Sequence, residues 1–73
     1  MRFITLTSLD YLTGEYKGLL IVNTANIGVI RPLGLIHAII QVNSIDYSVY
    51  ENMEEIIKKI HESANTVPQS QTP

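Results

Sequence analysis

Two hydrophobic periodicities meet in YSVYENMEEIIKKIH, residues 47–61 of the chain. Tyr47 and Val49 alternate with polar Ser48, which is the period of a β-strand. After Asn52 the period becomes that of one helical stripe, with apolar residues at Met53, Ile56, Ile57 and Ile60. A strand is therefore predicted to lead directly into an amphipathic helix. The rest of the chain must supply the surface on which that helix packs.

Asn52 and Glu55 indicate where the helix begins. Asparagine followed three residues later by glutamate is a capping-box pattern, in which each side chain accepts a backbone hydrogen from the other residue. The helical pattern fades after His61, so we expect a helix over residues 52–61. Ile57 belongs to the stripe, and a charge placed there should unfold the domain because it would be buried.

Upstream of this junction the chain shows strand and turn signals. We expect strands at residues 2–9, 19–23, 27–31, 35–43 and 45–50, because each is rich in β-branched or apolar residues between turn formers. Gly14 in the loop 10–18 suits a positive φ, and Gly28 indicates a bulge or a close backbone approach. Pro32 and Gly34 predict a tight turn over residues 31–34.

The longest strand candidate is LIHAIIQVN, residues 35–43. Ile36, Ala38, Ile40 and Val42 form a wholly apolar face, while the opposite face, with His37 and Ile39, is mixed. A central strand with one core side and one half-covered side has this pattern. A helix is the competing interpretation, but the β-branched residues and the preceding turn favour a strand.

Taken together, these signals predict an α+β fold that is mainly β. We expect a small antiparallel sheet of four to five strands, followed by one C-terminal amphipathic helix. Residues 1–62 would form this single domain. Residues 63–73 contain Pro, Gln, Ser and Thr with little to pack, so a disordered tail is expected there.

The composition limits how such a small domain is stabilised. The chain has 73 residues and no cysteine, which excludes disulfides and cysteine-based zinc sites. Apolar residues make up 45% of the chain and charged residues only 16%, against roughly 25% charged in typical domains. Because domains this small have marginal cores, self-assembly is a common remedy. We therefore expect a homo-oligomer.

Charge and hydropathy argue against nucleic-acid-binding and membrane proteins. The net charge is −2 and the isoelectric point about 5.5, with no basic run. Nucleic acid remains a possible partner that is not favoured, because phosphate binding requires clustered Lys and Arg. The N-terminus lacks a signal-peptide pattern, and apolar runs such as residues 19–22 are too short to cross a bilayer. We expect a cytoplasmic protein without membrane contact.

No enzyme motif is present in the sequence. Nucleophile-elbow, phosphate-loop, dinucleotide and His-Glu-x-x-His patterns are all missing. We therefore predict no catalytic, cofactor-binding or metal-binding residues and no cofactor, and we expect that the protein is not an enzyme.

Five residues are candidates for contact with a partner or ligand: Tyr11, Tyr16, Lys17, Arg31 and His37. The two tyrosines lie in the expected loop, where packing over the sheet edge is favoured and an interface anchor is the alternative. Arg31 is a solvated arginine unless it binds an anion or a carboxylate. His37 is favoured as a half-buried, hydrogen-bonded histidine, with a ligand or pH-switch role as the alternative. Lys17 is a candidate nucleic-acid contact if Arg2, Lys17 and Arg31 lie along one edge of an oligomer.

The order of these signals resembles a known family, the small flagellar-operon proteins of the FlbD type. The matching segments are Phe3–Thr7, Gly14, Ile21–Asn23, Ile27–Ile30 and Val49–Ile57. The loop 10–18 is longer than the family's usual Asn-Gly turn. The resemblance implies a fold more than a role, and similar short proteins occur in phages and mobile elements.

A second resemblance is to the carbon storage regulator type of RNA-binding protein. That family also has five strands, a C-terminal helix and a polar tail, and it works as a dimer. Its basic N-terminal strand and glycine-aspartate turns have no counterpart here. The likeness implies a dimeric β protein, and RNA binding only as an alternative.

Three functions follow as hypotheses. The leading one is a non-enzymatic interaction or regulatory module, with a phage or mobile element as a candidate source, that acts through homo-oligomerisation and binding of a protein partner. The second is a nucleic-acid-binding post-transcriptional regulator using Arg2, Lys17 and Arg31. The third is a phage-encoded inhibitor of a host protein, or a protein that sequesters a small ligand.

Overall fold

The computed structural model describes residues 2–65. It contains five strands and one α-helix, as the sequence predicts. The strands are β1 (Phe3–Leu9), β2 (Tyr16–Asn23), β3 (Ile27–Leu33), β4 (His37–Val42) and β5 (Ile45–Val49). The helix is α1 (Met53–Asn65), and a short 3-10 turn, Thr24–Asn26, joins β2 to β3.

All neighbouring strands are antiparallel, and their order in the sheet is β2-β1-β5-β4-β3. The two edge strands, β2 and β3, are consecutive in sequence. In a flat sheet four gaps of about 4.8 Å would separate them by about 19 Å. The four Cα steps from Asn23 to Ile27 span at most about 15 Å. The sheet must therefore curl so that its edges approach each other at this end.

The core lies inside this curled sheet. Its buried side chains come from four strands and the helix: Ile4, Leu6, Val22, Ala38, Ile40, Val49 and Ile56. Helix α1 contacts β1 and β3, which are separated by two strands in the sheet. The helix thus packs across the concave side, and Ile56 is the helix residue with no exposed surface.

The shortest ladder in the sheet lies between β1 and β5. Their ladder consists of the single pair Ser8 and Val49, followed by a bond from the Tyr50 amide to the Thr7 carbonyl at 2.8 Å. An antiparallel pair of this type normally exchanges two backbone bonds. Here the Thr7 amide instead donates to the Glu51 carboxylate, at 2.9 and 3.1 Å. A side chain therefore completes the junction where the chain leaves the sheet for the helix.

The turn after β3 differs from the prediction. Arg31 and Pro32 belong to β3, and the turn is formed by residues 34–36, so β4 begins at His37 rather than at Leu35. Proline is tolerated because β3 is an edge strand, where a missing amide hydrogen breaks no ladder bond. Leu35 is fully exposed as a result.

The other strand predictions hold with shifted ends. The register of β3 on β4 shifts between Ile27 and Val29, at the predicted Gly28 bulge. Ala38 and Ile40 face the core, as the alternation in β4 predicts. Strand β2 begins three residues earlier than expected, at Tyr16, and Gly14 has the expected positive φ, +76°.

The helix begins as predicted but its buried face is narrower. The Glu55 amide donates to the Asn52 side chain at 2.8 Å, and the Asn52 amide donates to the Glu55 carboxylate at 3.0 Å. Ile56 is buried, whereas Ile57 is 43% exposed, so the predicted burial of Ile57 is wrong. The two residues are 100° apart on the helix, and only one can face the core directly.

The helix also extends past His61 to Asn65, which overlaps the first residues of the predicted tail. No proline or glycine occurs between His61 and Asn65, and Pro68 is the first helix breaker in this part of the sequence. The remaining tail, residues 66–73, lies outside the described residues.

Candidate binding surfaces

A pocket of about 350 Å³ lies on the outer side of the sheet, between the β1–β2 loop and strands β3, β4 and β5. Its floor is formed by Leu9, Ile39 and Ser48, next to Tyr47 of β5, whose side chain packs against the core. Its rim is formed by Tyr11, Lys17, Arg31 and Asp46. Ligand pockets commonly measure about 300–1,000 Å³, so this one is at the small end of the range.

The loop that forms one wall is held by Asp10. One oxygen of its carboxylate accepts the amide hydrogens of Leu12, at 2.8 Å, and Thr13, at 3.0 Å. The Asp10 backbone bonds the Glu15 carbonyl and the Gly14 amide, each at 2.8 Å. These bonds fix a compact loop, and the positive φ of Gly14 allows the chain to reverse.

The same contacts lower the pKa of Asp10. The amide of Thr13 has the largest effect, followed by the amide of Leu12, because both stabilise the charged carboxylate. The positive charge of Lys17 lowers the pKa of Asp10 further. The loop therefore prefers the ionised form of Asp10.

Ser48 is the polar residue of the pocket floor. It is only 8% exposed, and no hydrogen bond of its hydroxyl occurs within residues 2–65. In this part of the chain, fully enclosed side-chain nitrogen and oxygen atoms all have hydrogen-bond partners. The Ser48 hydroxyl therefore keeps some exposed surface, and Ser48 lines the pocket.

Three charged groups surround the pocket. Arg31 on β3 reaches past β4 to Asp46 on β5, with 3.3 Å between the guanidinium and carboxylate groups. Both side chains are about half exposed, at 50% and 51%, so this pair contributes little to stability. Lys17 lines the same pocket. The lining thus has two cations and one carboxylate.

The structure brings three of the five candidate residues together. Tyr11, Lys17 and Arg31 all line the pocket, although they come from the β1–β2 loop, β2 and β3. Tyr16 is not a loop residue, because it is the first residue of β2, pairs with Leu9 and is 65% exposed.

His37 lies apart from the other four candidates. Its Nδ1 is 2.7 Å from the carbonyl oxygen of Tyr50, and the two rings are 5.2 Å apart. Because a carbonyl oxygen only accepts, Nδ1 must carry the hydrogen in this contact. A second cavity, of about 210 Å³, is lined by His37, Gly34, Leu35 and Met53 among others. The geometry agrees with the favoured interpretation of a half-buried, hydrogen-bonded histidine.

A second surface, which we call the apolar stripe, consists of Phe3, Leu19 and Ile21. These side chains are 52%, 67% and 68% exposed. Ile21 is opposite Thr5 and Leu19 is opposite Thr7 in the β1–β2 register, which places the stripe on the outer face. The candidate residues did not include it, although its signal is visible in LLIV, residues 19–22, which is apolar on both faces.

The two edges of the sheet differ in how well they are protected. Edge strand β3 contains Arg31 and Pro32, and charge and proline both discourage pairing with another strand. Edge strand β2 has its only charge at Lys17, before Gly18, and the next five residues are uncharged. The unprotected edge is therefore the one that borders the apolar stripe.

The chain was compared with family models, curated proteins and solved structures, and no match was found. The resemblances to the FlbD type and to the carbon storage regulators therefore stay predictions. In the described part of the chain, no cluster of three or more His, Asp or Glu could hold a metal ion. Over the same residues, the helix lacks the length and apolarity needed to span a bilayer.

Proposed function

We propose that this protein is a non-enzymatic interaction module that assembles with other copies of itself through strand β2. The observation that carries the proposal is the apolar stripe of Phe3, Leu19 and Ile21 beside an unprotected edge. Exposed apolar groups on an edge strand favour pairing with another strand. The other edge, β3, is protected by Arg31 and Pro32, which argues for β2 as the contact.

The hydrogen-bond directions in the hairpin support this choice. The backbone amide and carbonyl of Thr7 both point toward β5, where they bond Glu51 and Tyr50. Thr7 is therefore a residue that does not exchange backbone bonds with Leu19, its partner on β2. By the alternation of the ladder, Leu19 and Ile21 direct their backbone groups away from β1, toward the free edge.

An antiparallel pair of β2 strands fits these directions. A twofold axis at Ile21 would place Ile21 beside Ile21 of the second copy and Leu19 beside its Asn23. The side chains of both apolar stripes would then share one face, and no like charges would oppose each other over residues 19–23. Burying these aliphatic side chains against each other would remove apolar surface from water, at about 25 cal/mol per Å².

The nucleic-acid alternative has less support. In one copy, Arg2 precedes Phe3, which pairs with Asn23, whereas Lys17 adjoins the Ser8–Gly18 pair at the other end of the hairpin. The guanidinium of Arg31 is already bonded to Asp46. The three cations therefore do not form a cluster within one copy.

Light scattering coupled to size-exclusion chromatography tests the assembly. The full chain, whose mass is 8.2 kDa, should elute as a species of twice that mass at a concentration of ~100 μM. Ile21→Lys should yield monomer, because it places a charge at the centre of the contact. Phe3→Lys, one strand away from the edge, should have a smaller effect.

Val29→Lys is the matched control, because Val29 is 40% exposed on the other edge strand. It should leave the assembly intact. Circular dichroism should give a folded spectrum for all three variants. A wild-type monomer at this concentration, or dissociation by Val29→Lys but not by Ile21→Lys, would contradict the proposal.

A further inference from the structure

We propose that the pocket beneath the β1–β2 loop binds a small organic anion with a flat apolar body, of which an aromatic carboxylate is the simplest example. This site is separate from the assembly surface, since it shares no residue with the apolar stripe. The inference rests on three features of the pocket: its apolar floor, the Ser48 hydroxyl and the charges at its rim.

The floor selects for an apolar body. Leu9 is buried outside the main core cluster, under the β1–β2 loop, and Ile39 is half-buried on the outer face of β4. Covering their remaining surface with a ring would remove apolar area from water, at about 25 cal/mol per Å². An inorganic ion has no group that could use this floor.

Ser48 supplies a polar contact at the floor. It is more than nine-tenths buried, yet its hydroxyl forms no hydrogen bond within residues 2–65. A hydroxyl in such a position gains a partner when a ligand oxygen reaches it. The pocket thus offers one hydrogen bond beneath the rim.

The rim favours a single negative charge. Lys17 and Arg31 face one lining carboxylate, Asp46, and Arg31 has further donors because its contact with Asp46 is a single one at 3.3 Å. Asp10 also carries a negative charge near Lys17, but it does not line the pocket, and its carboxylate accepts the amide hydrogens of Leu12 and Thr13. The lining charges leave one positive charge in excess, which matches a monoanion better than a multiply charged phosphate compound.

The size of the pocket sets the size of the ligand. A volume of about 350 Å³ accommodates a one- or two-ring compound and little more. Tyr11 lies at the rim on the fixed loop, and its side chain is 72% exposed. Its ring is therefore the one best placed to stack on the exposed side of a bound aromatic ring.

Titration of the ¹⁵N-labelled full chain by NMR tests the proposal with three probes: 2-naphthoate, its uncharged analogue 2-naphthamide, and inorganic phosphate. We expect 2-naphthoate to give saturable shifts centred on Leu9, Ile39 and Ser48. Its dissociation constant should be on the order of 1 mM or lower, as ligands of this size allow. 2-Naphthamide and phosphate should each bind at least about fivefold more weakly.

Variants locate the site. Lys17→Gln and Arg31→Gln should each weaken 2-naphthoate binding by about five- to tenfold without changing 2-naphthamide binding, since they remove only the charge contact. Ser48→Ala should weaken the binding of both 2-naphthoate and 2-naphthamide, since it removes a hydrogen bond that either ligand can form. Lys58→Gln, on the exposed face of α1, is the matched control and should change neither.

Three results would overturn the proposal: no saturable shift by about 10 mM, equal binding of the acid and the amide, or shifts centred away from the pocket. Repeating the titration on Ile21→Lys separates this site from the assembly surface. The affinity for 2-naphthoate should be unchanged in that variant whether or not the wild-type chain self-associates. A loss of binding there would also count against an independent site.

Discussion

The Glu51 carboxylate accepts both the amide hydrogen and the hydroxyl hydrogen of Thr7, 44 residues earlier in the chain. The amide bond measures 2.9 Å and the hydroxyl bond 3.0 Å. This contact replaces a ladder bond, because the carbonyl of Tyr50 is instead 2.7 Å from His37 Nδ1. One side chain therefore closes the sheet between its two halves, the β1–β2 hairpin and the β3–β4–β5 meander.

Removing this carboxylate should destabilise the fold. Glu51→Ala leaves the Thr7 amide without its acceptor, and hydrogen bonds to charged groups contribute about 1.5–3 kcal/mol each. We expect a loss of about 2 kcal/mol in the free energy of unfolding, measured by urea denaturation. Glu51→Gln keeps one acceptor oxygen, so its free energy of unfolding should fall by less than that of Glu51→Ala. Glu62→Gln, an exposed helix glutamate, should have almost no effect; a Glu51→Ala variant as stable as that control would refute this role.

Charge at neighbouring helix positions should have opposite outcomes. Ile56→Asp buries a carboxylate in the core and should leave the chain unfolded at 25 °C, because small domains have only a few kcal/mol of stability. Ile57→Asp should remain folded, since Ile57 is 43% exposed. Far-ultraviolet circular dichroism distinguishes the two. An unfolded Ile57→Asp variant would show that the helix is rotated from the orientation described.

The helix cap gives a third prediction. Asn52→Ala removes the acceptor for the Glu55 amide and should cost about 1 kcal/mol. For a domain of this size that corresponds to a fall in Tm of about 4–8 °C. Asn52→Asp keeps the acceptor and adds a charge at the positive end of the helix, so its Tm should stay near that of wild type. Thermal denaturation followed at 222 nm measures both, and equal losses in the two variants would exclude the capping bond as the cause.

The turn between β4 and β5 offers a stabilising substitution. Asn43 and Ser44 have φ angles of +51° and +70°, the signature of a two-residue turn that favours Asn-Gly. Ser44→Gly removes the steric cost of a left-handed side-chain-bearing residue and should raise stability by up to about 1 kcal/mol. Ala25→Gly, where φ is not positive, should lower stability instead. Urea denaturation of the pair should therefore give changes of opposite sign.

Asp10 gives a prediction about pH. Its pKa in the folded chain lies below the ordinary value of 3.8, mainly because of the Thr13 and Leu12 amides. A lowered carboxyl pKa stabilises the fold above the unfolded-state value, and this contribution disappears as pH falls through the folded-state value. The carboxyl-carbon shift of Asp10, followed by NMR, should have its midpoint below that in a peptide of residues 8–16. A midpoint at or above the peptide value would contradict the loop geometry.

The helix start could be predicted from sequence because its determinants are local. Asn52 and Glu55 are three residues apart, and the bonds they exchange depend on little beyond the first helical turn. The core face of β4 was predictable for the same reason, since Ala38 and Ile40 follow a strict alternation.

Other features depended on strand order, which local patterns do not contain. Pro32 predicts a turn unless its strand is known to be an edge, where proline is tolerated. Ile56 and Ile57 are equivalent in a helical stripe until the helix is docked on β1 and β3. The role of Glu51 could not be predicted either, because its partner is 44 residues away.

The sequence by itself determined the elements: five short strands, a capped amphipathic helix, and an apolar surplus without disulfides. Only the tertiary structure decided which edge is exposed and which side chains meet. Lys17 and Arg31 are 14 positions apart in sequence and come from opposite edges of the sheet, yet they line one pocket. The physical reason is that periodicity reports only which face of its own element a residue occupies. The pairing of β1 with β5 and the position of the β1–β2 loop decide which residues of distant strands lie beside each other.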